Sequence, residues 1–496
     1  MTTLLGLDIG TSGARCIALD EDGKLVAEAT AEYPIYSPHP GWSEQRPEDW
    51  WRASREVIAK VAAQVGRDIA AIGLTGQMHG AVFLDNRDEV IRPALLWNDQ
   101  RTAAQAEAIT RRVGAHRLTE IAGNPALTGF QAPKILWLRD DEPEAYERVA
   151  CVLLPKDYVR LRLTGDRATD ASDASGTLLL DLKERTWSGE ILDALEIPAG
   201  WLPRVFEGPD RTGQVRQDVS TELGLPHQLP VAAGGGDNAA AAVGNGIIRD
   251  GLASCSIGTS GVLFAHSDTL APDPSGRLHA FCHAVPGRYH SMGVTLSAGG
   301  ALRWWRDLVG TAGYDELTEL ASQAQPGAEG LLFLPYLTGE RTPHLDPNAR
   351  GAFFGLTSRH NLGHLTRAVM EGVAFSLRDS LEIMVALGTN PSQIRATGGG
   401  ARSLFWRRLL ADVFGRPIVR TMSEEGPASG AALLAGVTAG VFENVEEACA
   451  GINLRPDTCE PDASRTRLYD DYYAAYRELY PATASTMHSL AGLIRR

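Results

Sequence analysis

Apolar residues along this chain recur at two spacings, alternation and helical period, and glycine turns separate the runs. Near the amino terminus, Leu4–Ile9, Arg15–Leu19 and Leu25–Ala31 are short apolar or alternating runs, a pattern that predicts three successive strands. Asp20-Glu-Asp-Gly23 joins the last two as a hairpin, because Asp and Gly tolerate positive φ. Arg46-Pro47-Glu-Asp-Trp50 then opens a helix, with proline and acids in its first turn. Trp50, Ala53, Val57, Ile58, Val61 and Val65 follow at helical spacing.

The second half opens the same way. Ser254–Ile257 reads as a strand, Gly258–Gly261 as a turn and Val262–Ala265 as a returning strand. Ile-Gly-Thr-Ser-Gly occurs at 9–13 and again at 257–261, an offset of 248 in a chain of 496 residues. Two matches half a chain apart, each between strand-like runs, predict a duplicated unit. Farther on come a long amphipathic helix over about Leu362–Leu387, a strand from Ile394 into the glycines 398–400, and a helix capped by Ser403. No low-complexity linker separates the halves. One hydrophobic core sustains roughly 250–300 residues, so the expectation is two α/β domains, 1–245 and 246–496, with ligands in the cleft between them.

Composition narrows the functional classes. A net charge of −14 repels a phosphodiester backbone and argues against nucleic acid as a partner. There is no run of 18 apolar residues to span a membrane, and the opening MTTLLGLDIG lacks the pattern of an export signal. Cys16, Cys151, Cys255, Cys282, Cys449 and Cys459 are scattered, without the C-x-x-C pairs of structural zinc. A reducing, cytoplasmic setting fits them.

Four segments carry candidate chemistry. Asp8-Ile-Gly-Thr-Ser-Gly13 puts a carboxylate at the end of a buried strand beside a glycine hairpin. Such a hairpin can aim amides at phosphate oxygens, with the carboxylate holding Mg²⁺ directly or through water, although either copy alone reads better as a plain β-hairpin with a capping Asp. Gly234-Gly-Gly-Asp237-Asn238 clears bulk from around an acid at the start of a helix, which suits a base for phosphoryl transfer or an ordinary N-cap. Gly398-Gly-Gly-Ala-Arg-Ser403 leads from strand to helix, as a nucleotide-contacting turn does. Gln77-Met78-His79-Gly80 and Trp97-Asn98-Asp99 each follow a strand, where polar side chains can build a sugar pocket. His79 alone also fits a hydrogen-bonded core position. Neither a G-x-x-x-x-G-K-[ST] loop nor the protein-kinase motif set occurs.

Taken together, the repeated hairpins, Gly-Gly-Gly-Asp-Asn and Gly-Gly-Gly-Ala-Arg-Ser resemble the FGGY family of carbohydrate kinases. Gly351-Ala-Phe-Phe-Gly-Leu356 with His364–Glu371 is similar to its C-terminal signature, and Phe130–Trp137, with Gln131 in place of a small residue, is similar to its N-terminal one. Stretches 39–45, 76–80, 95–99, 154–158 and 333–344 resemble the branch that phosphorylates D-xylulose.

The resemblance implies two duplicated actin-like, ribonuclease-H-like domains around a central cleft, ATP and Mg²⁺ as requirements, a small ketose as acceptor, and a homodimer in some members. It gives Asp237 the role of catalytic base and Asp8 that of positioning Mg²⁺ and phosphate. Met78, His79, Asp237 and Asn238 become acceptor contacts. Thr11, Arg15, Gly258, Thr259, Gly299, Gly399 and Ser403 become nucleotide contacts. Rival readings are a kinase of this fold for another polyol or ketose, an actin- or chaperone-like ATPase, and a sugar-sensing regulator. The last should have lost the base, and Asp237 is present.

Overall fold

The computed structural model describes residues 2–310, 313–422 and 426–494. Two sheets share one strand order. In the first, Thr3–Ile9 pairs antiparallel with Gly13–Asp20 and that strand with Leu25–Glu32; Ile69–Gly76 and then Pro230–Ala232 lie parallel on the other side. In the second, Leu252–Ile257 pairs antiparallel with Gly261–Ser267 and that strand with Tyr289–Thr295, while Gln393–Thr397 and Ile418–Val419 lie parallel beyond. The duplication expected from the repeated pentapeptide is therefore a duplication of topology. Each copy of Ile-Gly-Thr-Ser-Gly is the hairpin between the first two strands of its sheet.

Side-chain alternation decides what covers each face. Leu5, Leu7 and Ile9 point into a core with Trp50, Val57, Ile58 and Val61 of the helix Pro47–Val65. Leu4 points the other way, into a core with Ala428 and Ala432 of the helix Gly426–Thr438. That helix lies so close that a Cβ on Gly6 would sit 1.9 Å from the Ala428 carbonyl oxygen, and one on Gly73 2.0 Å from that of Ala431. It also packs on Asp237–Gly244, where a Cβ on Gly430 would lie 1.8 Å from the Ala240 oxygen. A helix from the second half thus rests on the first sheet.

The expected long helix runs Leu362–Ala386 and the Ser403-capped one Leu404–Phe414, the Ser403 Oγ accepting from the Trp406 amide at 3.2 Å. The hairpin turn closes at Gly23, φ 77°. Among the described residues no helix is long and apolar enough to cross a membrane. All six cysteines are buried and unpaired.

Candidate active site

Three parallel segments of the first sheet end at one place. Ile9 leads into the first hairpin, Gly76 into Gln77-Met78-His79, and Gly235-Gly236, paired with Thr75-Gly76, into Asp237. Ligands of open α/β sheets bind beyond such carboxyl ends.

A cavity of about 220 Å³ opens there, lined by Met78, His79, Asp237 and Asn238 from the first half. Trp97 and Phe130 wall it, and His279, Phe281 and Arg341 enter from the second half. A second, polar cavity of about 430 Å³ shares Asp237 and Asn238 with it and continues to Gly399 and Arg402. A third, of about 650 Å³, shares Gly399 and Arg402 with the second and contains Gly258, Thr259, Gly299 and Ser403. The three form a track, and among the described residues Asp237 is the one carboxylate lining both of the first two.

Asp237 occupies the first position of its helix, after Gly236 as cap. It is not the N-cap. Its Oδ1 accepts from the Asn238 amide (2.7 Å) and from Asn238 Nδ2 (2.9 Å). Burial pushes its pKa up to about 6, against those hydrogen bonds. Asp8 is pushed up to about 7, first by burial and then by the Asp237 charge, with Arg15 opposing. Asp8 Oδ1 is buried without a hydrogen-bond partner. Two neighbouring carboxylates with an unsatisfied oxygen are a donor set that fits a hard divalent cation.

The hairpins are braced internally. The Gly10 amide donates to the Gly13 carbonyl and the Gly258 amide to that of Ser260, both at 3.0 Å. The amides of Thr11, Ser12, Thr259 and Ser260 have no acceptor among the described residues, so uncommitted donors sit at the two tips. Gln45 Nε2 holds the Thr11 carbonyl at 2.7 Å, and Gln77 Nε2 donates to Gln45 Oε1 at 2.9 Å. Trp97 Nε1 donates to Thr11 Oγ1 at 3.1 Å, joining this hairpin to the first cavity. Arg15 lies opposite Asp8 in the strand pair and reaches Glu28 at 2.5 Å. Thr11 and Arg15 line none of the three cavities.

His79 is both a packed and a lining residue. Its backbone is left-handed, φ 68°, and Lys134 Nζ holds its carbonyl at 2.7 Å and that of Gly129 at 2.6 Å. Its Nδ1 lies 2.6 Å from the Gly176 carbonyl, which can only accept, so Nδ1 carries the proton and Nε2 remains an acceptor. Burial pushes its pKa down to about 3 and keeps the ring neutral.

Other expectations need correction. The glycines before Asp237 are required by the protein's own packing: a Cβ on Gly234 would lie 1.7 Å from the Leu74 oxygen, and one on Gly236 2.8 Å from Met78 Sδ. Gly399, by contrast, faces open space. Gly299 lines the third cavity, but its amide is occupied by the Gly258 carbonyl at 2.8 Å. Gln77 turns under the hairpin, and Asp99 is fully buried against Arg101 (2.7 Å) and the Ser43 amide (2.7 Å). Of Trp97-Asn98-Asp99, only Trp97 lines the cavity. His279 and Phe281 lie outside every motif noted above and Arg341 lies within the stretch 333–344, yet only the fold brings them to these first-half residues.

Two duplicated α/β units, with cavities meeting at one carboxylate between them, define the actin-like class of fold. The chain belongs to the FGGY family of carbohydrate kinases: the family's N-terminal domain matches residues 3–244 and its C-terminal domain residues 253–439. It is 44% identical to the xylulose kinase of Escherichia coli, over 96% of this chain and 98% of that one. The structure of ligand-bound xylulose kinase from Lactobacillus acidophilus superposes with a TM-score of 0.95 at 28% identity, covering 99% and 100% of the chains. A gluconate kinase from the same organism superposes with 0.94 at 28% identity, covering 99% of each.

Proposed function

We propose that the chain transfers the γ-phosphoryl group of ATP to the 5-hydroxyl of D-xylulose, giving D-xylulose 5-phosphate and ADP, with Asp237 as general base. The observation that carries the base is its position: among the described residues, Asp237 alone offers a carboxylate to both the acceptor cavity and the polar cavity that continues toward the second hairpin. The acceptor is supported by full-length similarity to xylulose kinases.

Met78 and the aromatic walls exclude water around the bound ketose, while His79 Nε2 and Asn238 fix its hydroxyls. Asp237 takes the proton of the attacking hydroxyl as the bond to phosphorus forms and the bond to ADP breaks. Thr11, Thr259 and the other tip amides donate to the phosphoryl oxygens, and Gly258, Gly299, Gly399 and Ser403 flank the nucleotide. Arg15 tempers the charge of Asp8. Asp8 would hold the Mg²⁺ that neutralises phosphate charge. Residues 1–245 and 246–496 are the proposed domains, in a cytoplasmic enzyme that pairs as a homodimer.

The test is ADP release from MgATP with D-xylulose, D-ribulose, L-ribulose, L-xylulose, D-fructose, gluconate and glycerol, beside a no-sugar control. A preference of about a hundredfold for D-xylulose in kcat/KM is the expected result. Preference for gluconate would move the chain to the acceptor of its other structural neighbour. Equal release without sugar would remove the acceptor cavity from the reaction. Asp237→Asn should lower kcat by about 10²–10⁴-fold with little change in ATP affinity.

A further inference from the structure

The acceptor cavity contains a cation that the reaction above does not use. Arg341 lines it beside His79 and His279, and its guanidinium has no carboxylate partner at ion-pair distance among the described residues. Glu340 accepts from the Arg341 backbone amide at 2.8 Å but not from its guanidinium, on which it acts only as a nearby charge that partly offsets burial. Burial depresses the pKa of Arg341, the expected cost of taking a guanidinium out of water unpaired.

Its orientation is fixed by a relay. Asn124 Nδ2 donates to the carbonyls of Ala122 (3.0 Å) and Ala280 (2.8 Å), so Asn124 Oδ1 is the acceptor toward His279 Nδ1 at 2.8 Å. His279 therefore carries its proton on Nδ1, and its bare Nε2 faces Arg341 Nη1 at 3.5 Å.

The other side-chain N–H donors at the cavity are partly committed within the protein. Trp97 Nε1 serves Thr11 Oγ1, and one of the two Asn238 Nδ2 hydrogens serves Asp237 Oδ1, so Arg341 is the one cationic donor lining the cavity among the described residues. Asp237 and His79 Nε2 are acceptors, which suit sugar hydroxyls. A carbonyl oxygen only accepts, and a guanidinium only donates. Arg341 also lowers the pKa of His79 and His279, whereas no influence on Asp237 is resolved, so it belongs to the histidine side of the cavity.

We propose that Arg341 is a specificity-determining residue that donates to the keto oxygen of an open-chain ketose and so separates a ketose from the corresponding alditol. This rests on the reading of the cavity as the acceptor site. It also gives the second half of the chain a direct hold on the sugar bound against the first.

The experiment compares wild-type, Arg341→Met and Arg341→Lys full-length protein, titrated calorimetrically with D-xylulose and with xylitol in the absence of nucleotide. Arg341→Met should weaken D-xylulose binding by about 10- to 100-fold and xylitol by less than about threefold, so the ratio between them collapses. Arg341→Lys should recover part of it, lacking the planar fork. The urea midpoint of Arg341→Met should be nearly unchanged, because a half-buried cation with no hydrogen-bonded carboxylate is replaced by an apolar side chain of similar length. Equal losses for both sugars, or an unaltered affinity for D-xylulose, would overturn the inference. Wild-type protein that binds neither sugar would remove the acceptor reading itself, and this inference with it.

Discussion

As the proposed base, Asp237 must be ionised to accept a proton, yet burial holds its pKa at about 6 and that of its neighbour Asp8 at about 7. Below these values both carboxylates are protonated, so activity is lost as pH falls. A profile of kcat/KM should descend on the acid side with a midpoint near 6, and added Mg²⁺ should draw the Asp8 contribution lower by favouring its ionised form. A profile flat down to pH 5 would contradict the assignment of the base. Gly236 gives a second residue-scale prediction. A Cβ there meets the end of Met78 at 2.8 Å, and Met78 lines the cavity proposed for the acceptor. Gly236→Ala should raise KM for the sugar more than KM for ATP, as steady-state kinetics would show.

At the scale of elements, the helix Gly426–Thr438 is seated by the absence of side chains on the sheet beneath it. Gly73 is the clearest point, because its neighbour is the rigid Ala431 carbonyl at 2.0 Å from a Cβ. Gly73→Ala should destabilise the protein by about 1–3 kcal/mol, the usual cost of overpacking, measured as a lower urea midpoint at unchanged slope. The helix Pro155–Thr164 holds the other buried device. Fully buried Arg160 donates to the carbonyls of Ala232 (2.7 Å) and Ala233 (2.5 Å), directly before the glycines that deliver Asp237. Arg160→Met should cost about 3–5 kcal/mol, since those carbonyls and Thr212 Oγ1 would lose their buried donor while Asp157 keeps Lys156 at 2.7 Å. Retention of wild-type stability would show that the cluster Lys156, Asp157, Asp170 and Asp173 satisfies itself without Arg160.

For the whole molecule, buried titratable groups act in opposing directions. His79 and His290 are held at about 3 and His344 at about 4, below the ~6.5 of an exposed imidazole. The unfolded chain takes up protons on them below pH ~6.5 that the fold refuses, so stability falls as pH drops. Asp8, Glu340 and Asp379 are held at about 7. Between there and the ~4 of an unfolded carboxylate, the fold takes up protons first and gains stability. The two sets offset each other until the carboxylates are protonated in both states, after which the histidines are unopposed. The urea midpoint should change little from pH 7 to 5 and drop steeply below ~4.5. A steady decline from pH 7 would show that the histidines dominate throughout.

What the sequence determined was local and repetitive. Strand alternation, helical spacing and glycine turns follow from backbone preferences and side-chain period, so the duplicated units and the positions of Asp8, His79 and Asp237 at strand ends were legible from Ile-Gly-Thr-Ser-Gly and the runs around it. Motif spacing could not say which way a side chain turns. Asp99 and Gln77 follow strands just as His79 does, yet packing sends them inward to Arg101 and Gln45. Nor could it show why the glycines are there, because a missing Cβ has meaning only against the neighbour it would strike, such as Leu74 or Met78. The tertiary structure alone decided that Arg341 and His279 meet residues more than a hundred positions away in one cavity. Such contacts depend on how the two sheets and the helix Gly426–Thr438 pack, which no local preference encodes.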